Sequence, residues 1–219
     1  MIGNDKRSNR RAFLAGGVAA AAGTLALRTT RLEATGRDLS GGRNHEGWIR
    51  RLTGGDRMLF DSPDPNDARM LLLMRHTFNT YQLDYDAADA DVSVVGTFYG
   101  NTTFFGLDDS AWNTYRLGEV QGLEPAPTRN PWRADPFVNG QFVPTASIET
   151  LQGRGATFLL CRAALLNKAG KIAARIGANA EMVYDDLAKR ILPGVVLVPS
   201  VIVAIQRAQK AGISYYRVV

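Results

Sequence analysis

The chain has a single cysteine and two histidines among its 219 residues. A lone Cys161 forbids an internal disulfide, so the fold must rest on its core and its hydrogen bonds. His45 and His76 lie far apart, with no other ligand-type residue clustered near them. Metal sites need such clusters, so no metal is implied, and nothing implies an organic cofactor. The chain lacks a Gly-x-Ser-x-Gly elbow, a Walker-type phosphate loop and a dinucleotide fingerprint. A hydrolase is the least favoured reading, because no nucleophile–base pair can be placed. Surplus positive charge is also scarce. The net charge is +5, and Lys6, Arg7, Arg10 and Arg11, less Asp5, account for most of it. What is left over the rest of the chain is too small for a nucleic-acid footprint, so no nucleic-acid partner is expected.

What is present begins with a targeting pattern. Asn9-Arg10-Arg11-Ala12-Phe13-Leu14 carries paired arginines followed by an apolar, small-residue stretch to Leu27. That stretch falls short of the roughly 20 strongly apolar residues of a spanning helix. Residues 1–27 therefore read as a twin-arginine export signal, with the twin-arginine translocase as partner and the periplasm as destination. No Ala-x-Ala follows directly, so cleavage and retention as an anchor both stay open. Residues 28–46 read as a polar linker. Residues 47–219 read as one domain, since the roughly 190 residues left after export suit a single core.

Within that domain Trp48, Ile49 and Leu52 have helical spacing and dock the linker onto the core. Residues 57–61 form a short strand candidate. Asn66-Asp67 then caps a helix with an apolar stripe through Met70, Leu71, Met74, Phe78 and Tyr81. Residues 91–99 are the second strand and residues 109–115 a short helix with Trp112 inward. The carboxylates of Asp108-Asp109 read as that helix's cap. Residues 117–144 are irregular, with Trp132 and several prolines. A connection this long is functional or ordered by a neighbour, and the stretch 130–133 reads equally as a lid or as a surface for another subunit. Further on, helices at 145–151, 163–176, 179–191 and 201–210 alternate with strands at 156–161, 194–198 and 213–218. The later strands are apolar throughout, which predicts an α/β domain with a mostly parallel sheet of about five strands, covered on both faces.

Open α/β sheets build their sites at the carboxyl ends of strands. Cys161 ends the third strand where a helix begins, and a thiol at a helix amino terminus is stabilised as thiolate. Arg162 adds to that effect. The opposing reading is a buried cysteine that packs as a small hydrophobe. Ser200, after the fourth strand, reads as part of an anion-binding nest or as a plain helix cap. Asn101 and Thr102 follow the second strand and bring donors and acceptors to the same edge. His76 reads as a surface residue.

Phe158-Leu159-Leu160-Cys161, the run Leu192-Pro193-Gly194-Val195-Val196-Leu197-Val198-Pro199-Ser200 and the tyrosine-rich final strand resemble the DsrE/DsrF-like family. The resemblance implies a three-layer α/β/α sandwich, a homo-oligomer, and sulfur carried as a persulfide on Cys161. It departs after that cysteine, where relatives often carry Asn or Thr and this chain has Arg162-Ala163-Ala164. Two functions follow as expectations. One is an exported sulfur carrier, sulfur-transfer or thiol-sensing protein acting through Cys161, with Arg162 and Ser200 holding the anionic sulfur and a small sulfur species or a thiol protein as partner. The other is a non-catalytic periplasmic ligand-binding or assembly module in which Cys161 only packs.

Overall fold

The computed structural model describes residues 45–219. The export signal of residues 1–27 and nearly all of the linker lie outside the described residues. In chain order the first elements are α1 (Gly47–Arg50), β1 (Asp56–Asp61), α2 (Arg69–Asp84), β2 (Val92–Phe98), α3 (Asp109–Tyr115) and α4 (Leu117–Val120). A small hairpin, β3 (Phe137–Val138) and β4 (Gln141–Phe142), comes next. Then follow α5 (Ile148–Gly153), β5 (Thr157–Cys161), α6 (Arg162–Ile176), α7 (Ala180–Lys189), β6 (Val195–Val198), α8 (Val201–Lys210) and β7 (Ser214–Arg217). Five of the strands form one sheet in the order β6-β5-β2-β1-β7, and each pairing in it is parallel. The chain is an α/β protein with a three-layer α/β/α sandwich.

Strand alternation divides the apolar side chains between two layers. Phe60, Val94, Phe98, Phe158 and Leu160 point to one face, where α2, α6 and α7 pack on them. Leu59, Val95, Leu159, Cys161 and Val198 point to the other, beneath α8 and Trp48 of α1. Parallel crossovers are right-handed. The steps from β1 through β2 and β5 to β6 all move one way, so their connections stack on the first face. The step from β6 back to β7 reverses direction, which forces α8 to the opposite face. The carboxyl-end connections of neighbouring strands β5 and β6 thus part to opposite faces, while β7 adds to the outer side of β1 as an edge strand.

The expected elements recur within a few residues, with two corrections. Asn66 and Asp67 do not cap α2 with their side chains. Asn66, Asp67 and Ala68 instead take φ values of 42°, 49° and 59°. Asn and Asp tolerate this left-handed region, whereas Ala68 adopts it at a cost. The turn is pinned from outside, because the Pro63 carbonyl accepts the Asn101 N–H at 2.8 Å. The second correction concerns residues 117–144. Trp132 is only 4 % exposed. It stacks on Phe105 with ring centroids 4.0 Å apart. Asn130 fixes its approach, donating from Nδ2 to the carbonyls of Phe105 (2.8 Å) and Leu107 (2.7 Å) while its Oδ1 accepts the Trp132 N–H. Trp132 is thus a wedge in the chain's own core, not a lid over the sheet edge. The Asp108 cap is as expected, accepting the Ala111 N–H at 2.9 Å.

Three carboxylates tie connections to this frame. Asp135 accepts the N–H groups of Thr145, Ala146 and Ser147, each at 2.9 Å. Burial pushes its carboxyl up, but these backbone donors pull it further down, below the usual range. Asp109 is lowered likewise, burial being outweighed by Arg129, the Asn130 N–H and Arg133. Asp186 is lowered too, with burial outweighed by Tyr115 and Arg190. Groups depressed in the folded state contribute stability that is fully present above the unfolded carboxylate pKa of about 4. That contribution is lost as pH falls through the folded values. Urea midpoints should therefore stay flat from neutral pH to about pH 5 and drop steeply below about pH 4. A midpoint unchanged at pH 3 would refute this.

Candidate functional site

The residues expected to form the site do not converge. Cys161 pairs in register with Val198 and lies in the apolar layer with Leu159, Val201 and Ala204. It is 6 % exposed. Cys161 does occupy the position before α6, but its side chain makes no capping hydrogen bond. The expectation of a solvent-reachable thiol is corrected by alternation. Cys161 shares the face of Leu159, and the first turn of α8 closes over that face. Arg162, one residue on, acts on Tyr184 of α7, which packs against the opposite layer. Burial raises the Tyr184 hydroxyl and the Arg162 charge partly offsets that. The Arg162 charge is therefore felt on the layer opposite the sulfur.

Thr102 is committed to the backbone, and exposed Asn101 to the side chain of Asp64. Thr102 is fully buried. Its hydroxyl lies 2.7 Å from the Ser62 carbonyl and 2.8 Å from that of Tyr99, and it accepts the Tyr99 N–H at 3.1 Å. Asn101 donates from Nδ2 to Asp64 at 2.7 Å. Together they knit the loop after β1 to the loop after β2. Ser200 precedes α8 without a side-chain cap and lines a cavity of about 270 Å3 with His45, Trp48, Pro199, Val203 and Arg207. Glu46 and Arg207 pair at its rim, 3.0 Å apart. The cavity is lined mainly by apolar groups, and its ion pair is already made. His45 and His76 are both exposed.

A different polar group sits at the carboxyl end of β1, beside edge strand β7. Asp61, the last residue of β1, is 1 % exposed. Its Oδ2 accepts the Tyr215 hydroxyl at 2.7 Å and Arg217 Nη1 at 3.0 Å. The Tyr99 hydroxyl also acts on this carboxylate. Burial pushes the Tyr99 phenol well up from its ordinary value, and the nearby Asp61 carboxylate adds to the shift. The Tyr215 phenol is raised by burial and then by Asp61. Both hydroxyls therefore remain protonated donors at neutral pH. Asp61 Oδ1 is buried and has no hydrogen-bond partner. A buried carboxylate oxygen without a donor costs free energy, so this geometry leaves an unused acceptor at the sheet's carboxyl edge.

The elements explain the convergence. Asp61 pairs in register with Arg217, and Leu59 with Tyr215, so both β7 side chains lie on the Asp61 face. Tyr99 continues the alternation of β2 onto the same face, next to the position of Cys161. On the far side of the sheet Tyr216 meets Phe60, with centroids 5.8 Å apart. Sequence reading missed this cluster because it took Asp61 only as a strand end. A charge closing a buried parallel strand was the available signal.

Neither a protein-family model nor a curated protein sequence matches the chain. Among solved structures, the chain is similar to a protein of unknown function, MTH1491 from Methanobacterium thermoautotrophicum. The match has 21 % identity and a TM-score of 0.37, and covers 74 % of this chain and 99 % of that one.

Proposed function

We propose that the chain is a non-catalytic module that binds a small polar ligand at the β1–β7 boundary, with Cys161 serving as core packing. The unpartnered Oδ1 of Asp61 carries this reading. It offers a buried acceptor at the carboxyl edge of the sheet, the edge at which open α/β folds hold their ligands. Burial of Cys161 among aliphatic side chains supports the same reading over a sulfur carrier, because a thiol must meet its donor and acceptor to relay sulfur. Membership of the DsrE/DsrF-like family and export by the twin-arginine route to the periplasm are proposed on the sequence patterns alone. A homo-oligomer is proposed as well. It is supported by edge strand β7, whose Tyr215 and Tyr216 are 40 % and 44 % exposed. Sedimentation velocity tests that assembly, and a monomer at tens of micromolar would count against it.

Thiol chemistry separates the two functional readings. The native protein should react with a maleimide at least about 100-fold more slowly than the urea-unfolded chain, since reaction needs local opening. After incubation with polysulfide, the intact mass should be unchanged at Cys161. Native labelling as fast as in urea, together with added sulfur mass, would return the function to sulfur carriage.

A further inference from the structure

The exposed groups around Asp61 define what the ligand must carry, and this step rests on the binding reading above. Asp61 Oδ1 is an acceptor with no donor. Arg217 uses Nη1 on Asp61 Oδ2, and its side chain is 51 % exposed. The rest of its planar donor fork is thus left toward solvent. The pair is neutral overall, so a ligand of either net sign gains nothing from net charge. A ligand with a cationic donor for Oδ1 and, one or two bonds away, an anionic acceptor for the fork would satisfy both. The part-exposed rings of Tyr99 and Tyr215 flank this polar centre and offer apolar surface to a short side chain.

We infer that the site binds a free zwitterionic amino acid, its ammonium donating to Asp61 Oδ1 and its carboxylate accepting from Arg217. Arg217 sits on an edge strand, bound to the other oxygen of the same carboxylate, with its side chain 51 % exposed. Its side chain moves outward when the ligand carboxylate engages it, and the ammonium enters behind. Neither half of the ligand suffices. A carboxylate alone leaves Oδ1 unpaired, and an ammonium alone meets the Arg217 charge.

The test is calorimetric titration of the full chain with L-alanine and its two halves, propionate and ethylammonium. L-Alanine should bind at least tenfold more tightly than either half. In Asp61→Asn the preference for L-alanine over propionate should vanish. In Arg217→Gln the preference over ethylammonium should vanish. These are ratios within one variant, so they hold even if a variant is less stable, provided circular dichroism shows it folded at the titration temperature. If propionate or ethylammonium binds as tightly as L-alanine, with the binding lost in the variants, the zwitterion is wrong and the binding reading stands. If none of the three binds, both fall. L-Alanine binding that both variants leave intact places the ligand elsewhere and overturns the proposal.

Discussion

Arg217→Met lowers the Tm by on the order of 5 °C, more than Asp61→Asn does, and adding Asp61→Asn to Arg217→Met restores part of the loss. The asymmetry comes from burial. Asp61 is 1 % exposed, while the Arg217 side chain is half in water. Removing the arginine strands a buried carboxylate with only hydroxyl donors. Removing the carboxylate's charge leaves a guanidinium that water can solvate, and an amide that still accepts from Tyr215. Exposure of Arg217 holds the effect below that of a fully enclosed pair. Thermal scans of the two single variants and the double variant form a mutant cycle. Equal losses from the single variants, or a double variant that is the sum of both, would show that the pair is not coupled as described.

Trp132→Ala should cost about 3–5 kcal/mol, the range for truncating a large core aromatic. The ring is 4 % exposed and stacked on Phe105, with Phe98 6.1 Å away on another side. Its loss opens a void and frees the segment that Asn130 anchors to the carbonyls of Phe105 and Leu107. Limited proteolysis should then cut within residues 117–144 well before the rest of the chain. Urea unfolding reads the stability change, and a loss under about 1 kcal/mol would mean that the ring does not support the core.

The layered fold was legible because its signals are local. Runs such as Gly194–Val198 and glycines such as Gly177, with φ 68°, mark where apolar strands and helices start and stop. The site was legible only as a region. Sequence reading placed it at the carboxyl edge, where Tyr99, Asp61 and Cys161 do lie. It could not tell which face each side chain takes, because Cys161 and Arg162 are adjacent yet serve opposite layers. Nor could it bring Asp61 to Arg217, since their pairing depends on where the last strand inserts. The fate of residues 117–144 was hidden for the same reason. Whether Trp132 turns inward depends on carbonyls of Phe105 and Leu107 that no local pattern reveals.

The first strand of the sheet finds its outer neighbour only in the last, with Asp61 and Tyr215 separated by 154 positions. A ribosome must finish almost the whole domain before that carboxylate meets its partners. Until then one flank of the growing sheet stands bare, with an anion at its rim. Completion is a late docking event of a few residues, slow by the measure of sequence distance, and the nascent domain remains open along that flank for most of its synthesis.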